Sequence, residues 1–239
     1  APVVPWYFGG DEAPEDPARP YVKLLSSNVY YMNHRTRRVQ DLVQAEAPDV
    51  VGLIEVTSTW MRRLRTLHAE YPYRFEAPDE EYVGLALYSR YPLENARVLA
   101  LPGELSTPAI AATLKAPGGD VEILLVHPTS PESAEYIQRR NGQILAISNY
   151  VASLRGPAVV AGDFNITMWN TGYRPLVDVA KLHNARRGYG VGPTWPSLGR
   201  VGVPIDHILG TGGVRLRNFR VLGDVGSDHY PVYAEFSAH

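Results

Sequence analysis

The chain of 239 residues contains no cysteine. Disulfides, thiolate nucleophiles and Cys-ligated zinc are therefore excluded. Compartment stays open, because a chain without thiols suits either redox environment. There is no excess of positive charge either: 23 Lys+Arg face 25 Asp+Glu, a formal net charge of −2. A protein that grips long stretches of nucleic acid usually carries a basic excess. The balance argues against a tight duplex binder without removing it, since a local basic patch can hide in a neutral total. No run approaches the roughly 20 apolar residues of a membrane-spanning helix. Repeats, low-complexity tracts and internal linkers are also missing.

What is present suffices for one large globular domain: 45% of residues are hydrophobic and 20% charged. The beginning differs. Pro2, Pro5, Pro14, Pro17 and Pro20 surround Asp11, Glu12, Glu15 and Asp16. This composition predicts an acidic, Pro-rich arm or linker over 1–21, ahead of a domain over 22–239. A start at Ala1 fits a lost signal peptide or membrane anchor, which places the protein outside the cytoplasm; a trimmed cytoplasmic chain fits equally. Nothing points to an obligate protein partner, and a monomer is expected.

Apolar runs over 22–27, 50–54, 73–76, 83–88, 97–101, 109–114, 121–126, 158–161, 204–209, 214–222 and 230–236 predict strands. Residues 117–120, Pro-Gly-Gly-Asp, predict a hairpin turn. Helical spacing predicts helices over 35–47, from Thr57 or Ser58 through Leu67, over 131–154 and over 173–183. A Gly/Pro-rich loop follows over 188–202. Strands outnumber helices, and helices separate only some of them. The pattern fits an α/β fold of two mixed sheets packed face to face, with helices outside.

Short polar clusters sit at the ends of these runs. Asn28 ends the first, and Glu55 follows the apolar 50–54. A carboxylate there is costly unless paired or bound to a cation. His127 ends the 121–126 run. Asp163 and Asn165 flank Phe164, and alternation along an extended segment puts both on one face. An acid and an amide so placed suit Mg²⁺ or Mn²⁺ rather than zinc. Asp206 and His207 are strand neighbours and must face opposite ways. If Asp206 faces the site, His207 is structural. Near the end stand Asp228 and His229. Two histidines at comparable strand ends, with carboxylates nearby, make acid/base work reasonable. Of the arginines at 35, 37, 38, 62, 63 and 65, most suit a solvated helix face; Arg35, close after Asn28, is placed to meet a substrate phosphate. Tyr30 and Trp195 lie on expected rim loops, where they stack on a base or sugar, cover an acyl chain, or pack the loops.

Taken in order, Asn28, Gly52-Leu53-Ile54-Glu55, His127-Pro128, Gly162-Asp163-Phe164-Asn165, Ile205-Asp206-His207 and Ser227-Asp228-His229 resemble the endonuclease/exonuclease/phosphatase family, the superfamily of deoxyribonuclease I. The segments Gly-Asp-Phe-Asn-x-Thr-x-Trp and Pro-Thr-Trp-Pro look most like its uncharacterised bacterial members. The resemblance implies a four-layered α-β-β-α sandwich and Mg²⁺- or Mn²⁺-dependent hydrolysis of a phosphodiester, in nucleic acid, a phospholipid or a small metabolite. It implies metal ligation by Asn28, Glu55 and Asp228, and a catalytic set of His127, Asp163, Asn165, Asp206 and His229. Asp206 is expected to orient His229. Many of the family's nucleases carry an acid at the position of Tyr30, so one metal ligand is expected to be missing. No partner carboxylate for His127 is identified; Glu132 and Asp79-Glu80-Glu81 are the candidates. The rival expectation is a non-catalytic scaffold that has kept the fold.

Overall fold

A computed structural model describes residues 6–8, 20–100, 108–197 and 201–238. Most of the expected arm over 1–21 lies outside them.

The first sheet begins with β1 (Val22–Asn28) and β2 (Val50–Ile54), parallel neighbours joined by helix α1 (Thr36–Glu46). Helix α2 (Ser58–Leu64) follows, its first turn capped by Thr57, whose side chain accepts from the Trp60 N–H. Strands β3 (Tyr73–Ala77) and β4 (Leu85–Ser89) extend this sheet on one side. The second sheet takes β5 (Leu93–Ala100), β6 (Pro108–Ala116) and β7 (Gly119–Val126) as an antiparallel meander. Helix α3 (Ala134–Ser153) then crosses over to β8 (Ala158–Asp163), parallel to β7. After the short helix α4 (Arg174–Asp178) come β9 (His183–Asn184) and β10 (Asp206–Gly210). The chain returns to the first sheet with β11 (Val214–Val221) and β12 (Val232–Ala238). Strand orders are β11-β12-β1-β2-β4-β3 and β5-β6-β7-β8-β10-β9. Among the described residues no helix is long and apolar enough to cross a membrane.

Alternation explains the four layers. Val50 and Ile54 of β2, Ile123 and Leu125 of β7, and Val159 and Ala161 of β8 meet in one cluster between the sheets. The intervening Val51 and Leu53 pack with Val39, Val43 and Trp60 of the outer helices. On the other side Leu124, Val126 and Val160 pack with Ile144, Ile147 and Val151 of α3. Strands covered on both faces read as continuous apolar runs. The expected α-β-β-α sandwich of two mixed sheets is what the chain forms. At Gly52 the sheets approach closely: a Cβ there would lie 2.6 Å from Leu125 Cδ1.

One helix is shorter than its spacing predicts. Over 173–183 only Thr171–Tyr173, in 3₁₀ form, and Arg174–Asp178 are helical. Lys181 turns left-handed at φ 54°, and the chain leaves as β9. Tyr173, Leu176 and Ala180, three and four residues apart, all reach the core, which accounts for the helical spacing.

The topology fixes where the polar ends go. The parallel pair β1 and β2 end together, with Asn28 opposite Ile54. Strand β10 runs antiparallel to β8, so its first residue, Asp206, stands opposite the last of β8, Asp163. Strand β12 runs antiparallel to β1, which brings the segment before it, with Asp228 and His229, to the end of β1. Carboxyl ends of β1, β2, β7 and β8 and amino ends of β10 and β12 thus supply the expected residues.

Candidate active site at the strand ends

Asp163 is the centre. Its Oδ1 accepts from the Asn165 N–H at 2.8 Å, and its Oδ2 accepts from Asn28 Nδ2 at 3.2 Å. The same Oδ2 lies 3.6 Å from His127 Nε2 and 3.6 Å from His229 Nε2. Asn28 Nδ2 also donates to Glu55 Oε1 at 2.7 Å, and the other Glu55 oxygen accepts from the Tyr31 N–H at 3.2 Å. His127 Nε2 sits 3.9 Å from Glu55 Oε1. The carboxylates facing His127 are therefore Glu55 and Asp163. Neither Glu132 nor residues 79–81 take that place; Glu80 accepts instead from the Ser58 N–H. His127 Nδ1 is buried with no hydrogen-bond partner among the described residues.

Asp206 Oδ2 and His229 Nδ1 are 2.9 Å apart, one buried pair bridging the two sheets. The Asp206 N–H donates to Thr194 Oγ1 at 3.2 Å. His229 is fixed by its own N–H, which donates to Ser227 Oγ at 3.1 Å, while Ser227 Oγ donates to Asn28 O at 2.8 Å. His207 points the other way, as alternation requires. It is held between Asn184 Nδ2 at 3.1 Å and Ile166 O at 2.9 Å.

Electrostatics sort these groups. Burial, joined by the Asp206 charge, pushes the Asp163 carboxyl up to about 6, against the pull of His229, His127 and the Asn165 N–H. Burial also opposes the charge on Asp206, but the His229 imidazole and the Thr194 hydroxyl hold it below the usual carboxylate range. For His229 burial favours the neutral form; Asp206 first and Asp163 next overcome it and lift the imidazole to about 10. His207 is the opposite case: burial and the Arg186 charge press it down to about 3, so it stays neutral. The site thus holds an ionised Asp206 against a protonated His229, with Asp163 harder to ionise than Asp206.

The remaining sequence candidates lie around this centre. Asn165 leaves the extended geometry at φ 52°. Its Nδ2 donates to Pro128 O at 3.0 Å, and its carbonyl accepts from Arg140 Nη1 at 2.9 Å. It reaches Asp163 through its backbone N–H. Asp228 is half-buried and stands apart, its Oδ2 accepting from Trp195 Nε1 at 3.2 Å. The Trp195 ring is exposed, 6.5 Å from the His229 ring. Tyr30 is half-buried at φ 58°; its backbone N–H donates to Asn28 Oδ1, and its hydroxyl is pushed up by burial and then by the Asp228 charge. Arg35 is exposed and packs its stem against Gly226, beside the Asp228 loop.

Three supporting residues carry no sequence prediction: Arg140, Arg186 and Thr194. Arg140 had a visible signal, because it continues the buried stripe of Ile144, Ile147 and Val151 on α3 as a charge on an apolar face. Asp163, Asp206 and His229 offer ligand atoms all within 4.8 Å of one another. Asp206 and His229 are spent on each other, however, and His229 keeps its proton. As a cation site, the carboxylate oxygens of Glu55 and Asp163, drawn together by Asn28, are the better donors.

The chain belongs to the Endonuclease/Exonuclease/phosphatase family, whose model matches residues 25–229. Solved structures share its fold. An endonuclease/exonuclease/phosphatase from Beutenbergia cavernae is 24% identical, with 92% of this chain and 72% of that one covered and a TM-score of 0.77. D. rerio TDP2 complexed with single-strand DNA product is 18% identical, with 91% and 99% covered and a TM-score of 0.78. Sphingomyelinase C from Streptomyces griseocarneus is 18% identical, with 90% and 99% covered and a TM-score of 0.68. No curated protein sequence matches the chain.

Proposed function

We propose that this member of the family is a divalent-cation-dependent phosphodiesterase that cleaves by direct attack of water. The observation that supports it best is the position of Asp163 Oδ2, 3.6 Å from two imidazole Nε2 atoms that come from different sheets. A carboxylate and two ring nitrogens around one small space can take a proton, hold an oxyanion and return a proton.

The donor chemistry fits a hard cation, because Glu55 and Asp163 present carboxylate oxygens to one small space. Glu55 and Asp163 would hold Mg²⁺ or Mn²⁺, with Asp228 at the edge and Asn28 orienting the two carboxylates through its Nδ2. When bound, such an ion supplies charge stabilisation of the phosphate and lowers the pKa of water. The chain's own residues do the rest. Asp163 orients the attacking water and accepts its proton. His229, kept protonated by Asp206, donates from Nε2 to a non-bridging phosphate oxygen as negative charge grows there. His127 polarises the phosphate or protonates the leaving oxygen. Asn165 holds the loop that positions Asp163 and lines the phosphate pocket. Tyr30, Trp195 and Arg35 form the rim that meets the groups flanking the phosphate.

Nucleic acid, phospholipid and small phosphodiesters all remain substrates of the proposal; a DNA-bound TDP2 and a sphingomyelinase both stand among the similar folds. The test is a panel of plasmid DNA, abasic DNA, RNA, sphingomyelin, inositol phosphates and bis-p-nitrophenyl phosphate with Mg²⁺, Mn²⁺ or chelator. At least one should be hydrolysed only with the ion, and Asp163→Asn should lower turnover by roughly three orders of magnitude or more. Normal turnover of Asp163→Asn sinks the mechanism. No turnover of any substrate by the wild type, with no cation bound at saturating Mn²⁺, favours a non-catalytic scaffold.

A further inference from the structure

Arg186 is completely buried, and among the described residues no carboxylate forms an ion pair with it. Burying a guanidinium is costly, and only good geometry with satisfied hydrogen bonds repays that cost. Its Nε is also a buried donor with no partner among the described residues. Stability alone is therefore a poor reason for this guanidinium. Its other contacts are specific. Nη2 donates to the backbone carbonyl of Asp206 at 2.7 Å. Nη1 donates to the carbonyls of Val191, at 2.6 Å, and Gly192. The Phe219 ring covers it at 4.4 Å. Its own backbone N–H is held by Asn184 Oδ1, the side chain whose Nδ2 also meets His207 Nδ1. Gly192 completes the fit: at φ 48° it carries no Cβ, and one there would lie 2.8 Å from Nη1.

These contacts join two parts of the site from behind. The carbonyls of 191 and 192 lead directly to Thr194, which accepts the N–H groups of Ile205 and Asp206. The next residue, Trp195, donates to Asp228. The Trp6 carbonyl closes the same turn from outside, accepting from the N–H groups of Gly188 and Gly190. We propose that Arg186 is a positioning residue whose planar fork clamps the 191–192 turn to the start of β10 and so aims the Asp206 carboxylate at His229 Nδ1. This rests on the phosphodiesterase reading for its effect on rate, but not for its effect on geometry. The five N–H groups of a guanidinium lie in one fixed plane, which an ammonium cannot reproduce.

The test uses Arg186→Met and Arg186→Lys, with exposed Arg37→Met as the control. Four quantities are measured: melting temperature, kcat and KM on the substrate identified by the panel with Mn²⁺, and the downfield proton NMR signal of the His229 Nδ1–H, assigned by its loss in His229→Gln. Arg186→Met should stay folded and lose about ten- to one-hundredfold in kcat with KM nearly unchanged. Its His229 signal should broaden or vanish through exchange with water. Arg186→Lys keeps the charge without the fork and should show both losses to a smaller degree. If Arg186→Met does not fold, the Lys variant is judged by the same readouts. Wild-type kcat with a sharp, protected His229 signal in the folded variant overturns the clamp. Should the wild type hydrolyse nothing, the phosphodiesterase reading fails, and the NMR signal still decides whether Arg186 sets the Asp206–His229 geometry.

Discussion

Replacing Asp206 by Asn preserves the side chain's shape and removes its charge. The structure gives a measure of what that charge does. His229 is lifted from 6.5 to about 10 although burial works against it. That difference corresponds to roughly 5 kcal/mol in favour of the imidazolium. Asp206 is the largest contributor, ahead of Asp163 and Asp228, and it is in hydrogen-bond contact at 2.9 Å. Assigning it half of the total puts its loss at roughly 2–3 kcal/mol, about one hundredfold in kcat if the imidazolium stabilises the transition state. Stability provides a second readout in metal-free protein. The native state holds a proton on His229 that the unfolded chain releases at an ordinary histidine pKa. This contribution is complete below about pH 6.5 and is lost as pH rises through about 10. Wild-type melting temperature should therefore fall over that window, and Asp206→Asn should flatten the fall. The assay is steady-state hydrolysis alongside thermal melts from pH 6 to 10. Wild-type kcat together with an unchanged alkaline slope in Asp206→Asn would refute the paired-charge reasoning.

Glu55→Gln should abolish most of the Mn²⁺-induced rise in melting temperature while leaving the metal-free value close to wild type; an undiminished shift would move the cation site elsewhere. His207→Phe should lower stability at neutral pH by roughly 1–3 kcal/mol, since Asn184 and the Ile166 carbonyl lose a partner. The same variant should soften acid unfolding. The folded pKa of His207 is depressed to about 3, so its contribution is complete above about pH 6.5 and is lost as pH falls toward 3; melts from pH 7 to 4 check the slope. Gly162→Ala should destabilise by roughly 3 kcal/mol or more in urea denaturation. Gly162 stands at φ 149° where an added Cβ would lie 2.0 Å from the Val126 carbonyl oxygen, between β7 and β8.

Much of this site is legible in the chain because buried carboxylates and imidazoles need a reason to be where they are. Glu55 after a five-residue apolar run and Asp163 after Ala158-Val159-Val160-Ala161 both announce a partner or a cation before any contact is seen. Strand alternation separates Asp206 from His207, and the structure turns them to opposite faces. The periodic rule holds only while the strand lasts. Asn165, Glu55 and Tyr30 each follow a strand end in left-handed conformation, at φ 52°, 63° and 58°. Such geometry costs of order 1 kcal/mol or more for a side-chain-bearing residue and collects at functional sites. Past that turn, the face of Asn165 cannot be extrapolated from Asp163, and its amide ends on Pro128 instead.

Pairing between distant segments is the part that spacing does not encode. Asp163 stands opposite Asp206 because β8 and β10 share a register, and Asn28 meets Glu55 because β1 and β2 end level. The two supporting arginines separate the causes further. Arg140 interrupts an apolar stripe at 144, 147 and 151, so its burial leaves a trace in the helical period. Arg186 lies in a turn after a two-residue strand, where no period exists to be broken. Its burial follows only from three carbonyl oxygens that converge once the 191–192 turn and β10 are in place. A charge that is held by backbone rather than by side chains leaves no partner residue to be read, and this is why the positioning layer of the site stays hidden where the chemical layer does not.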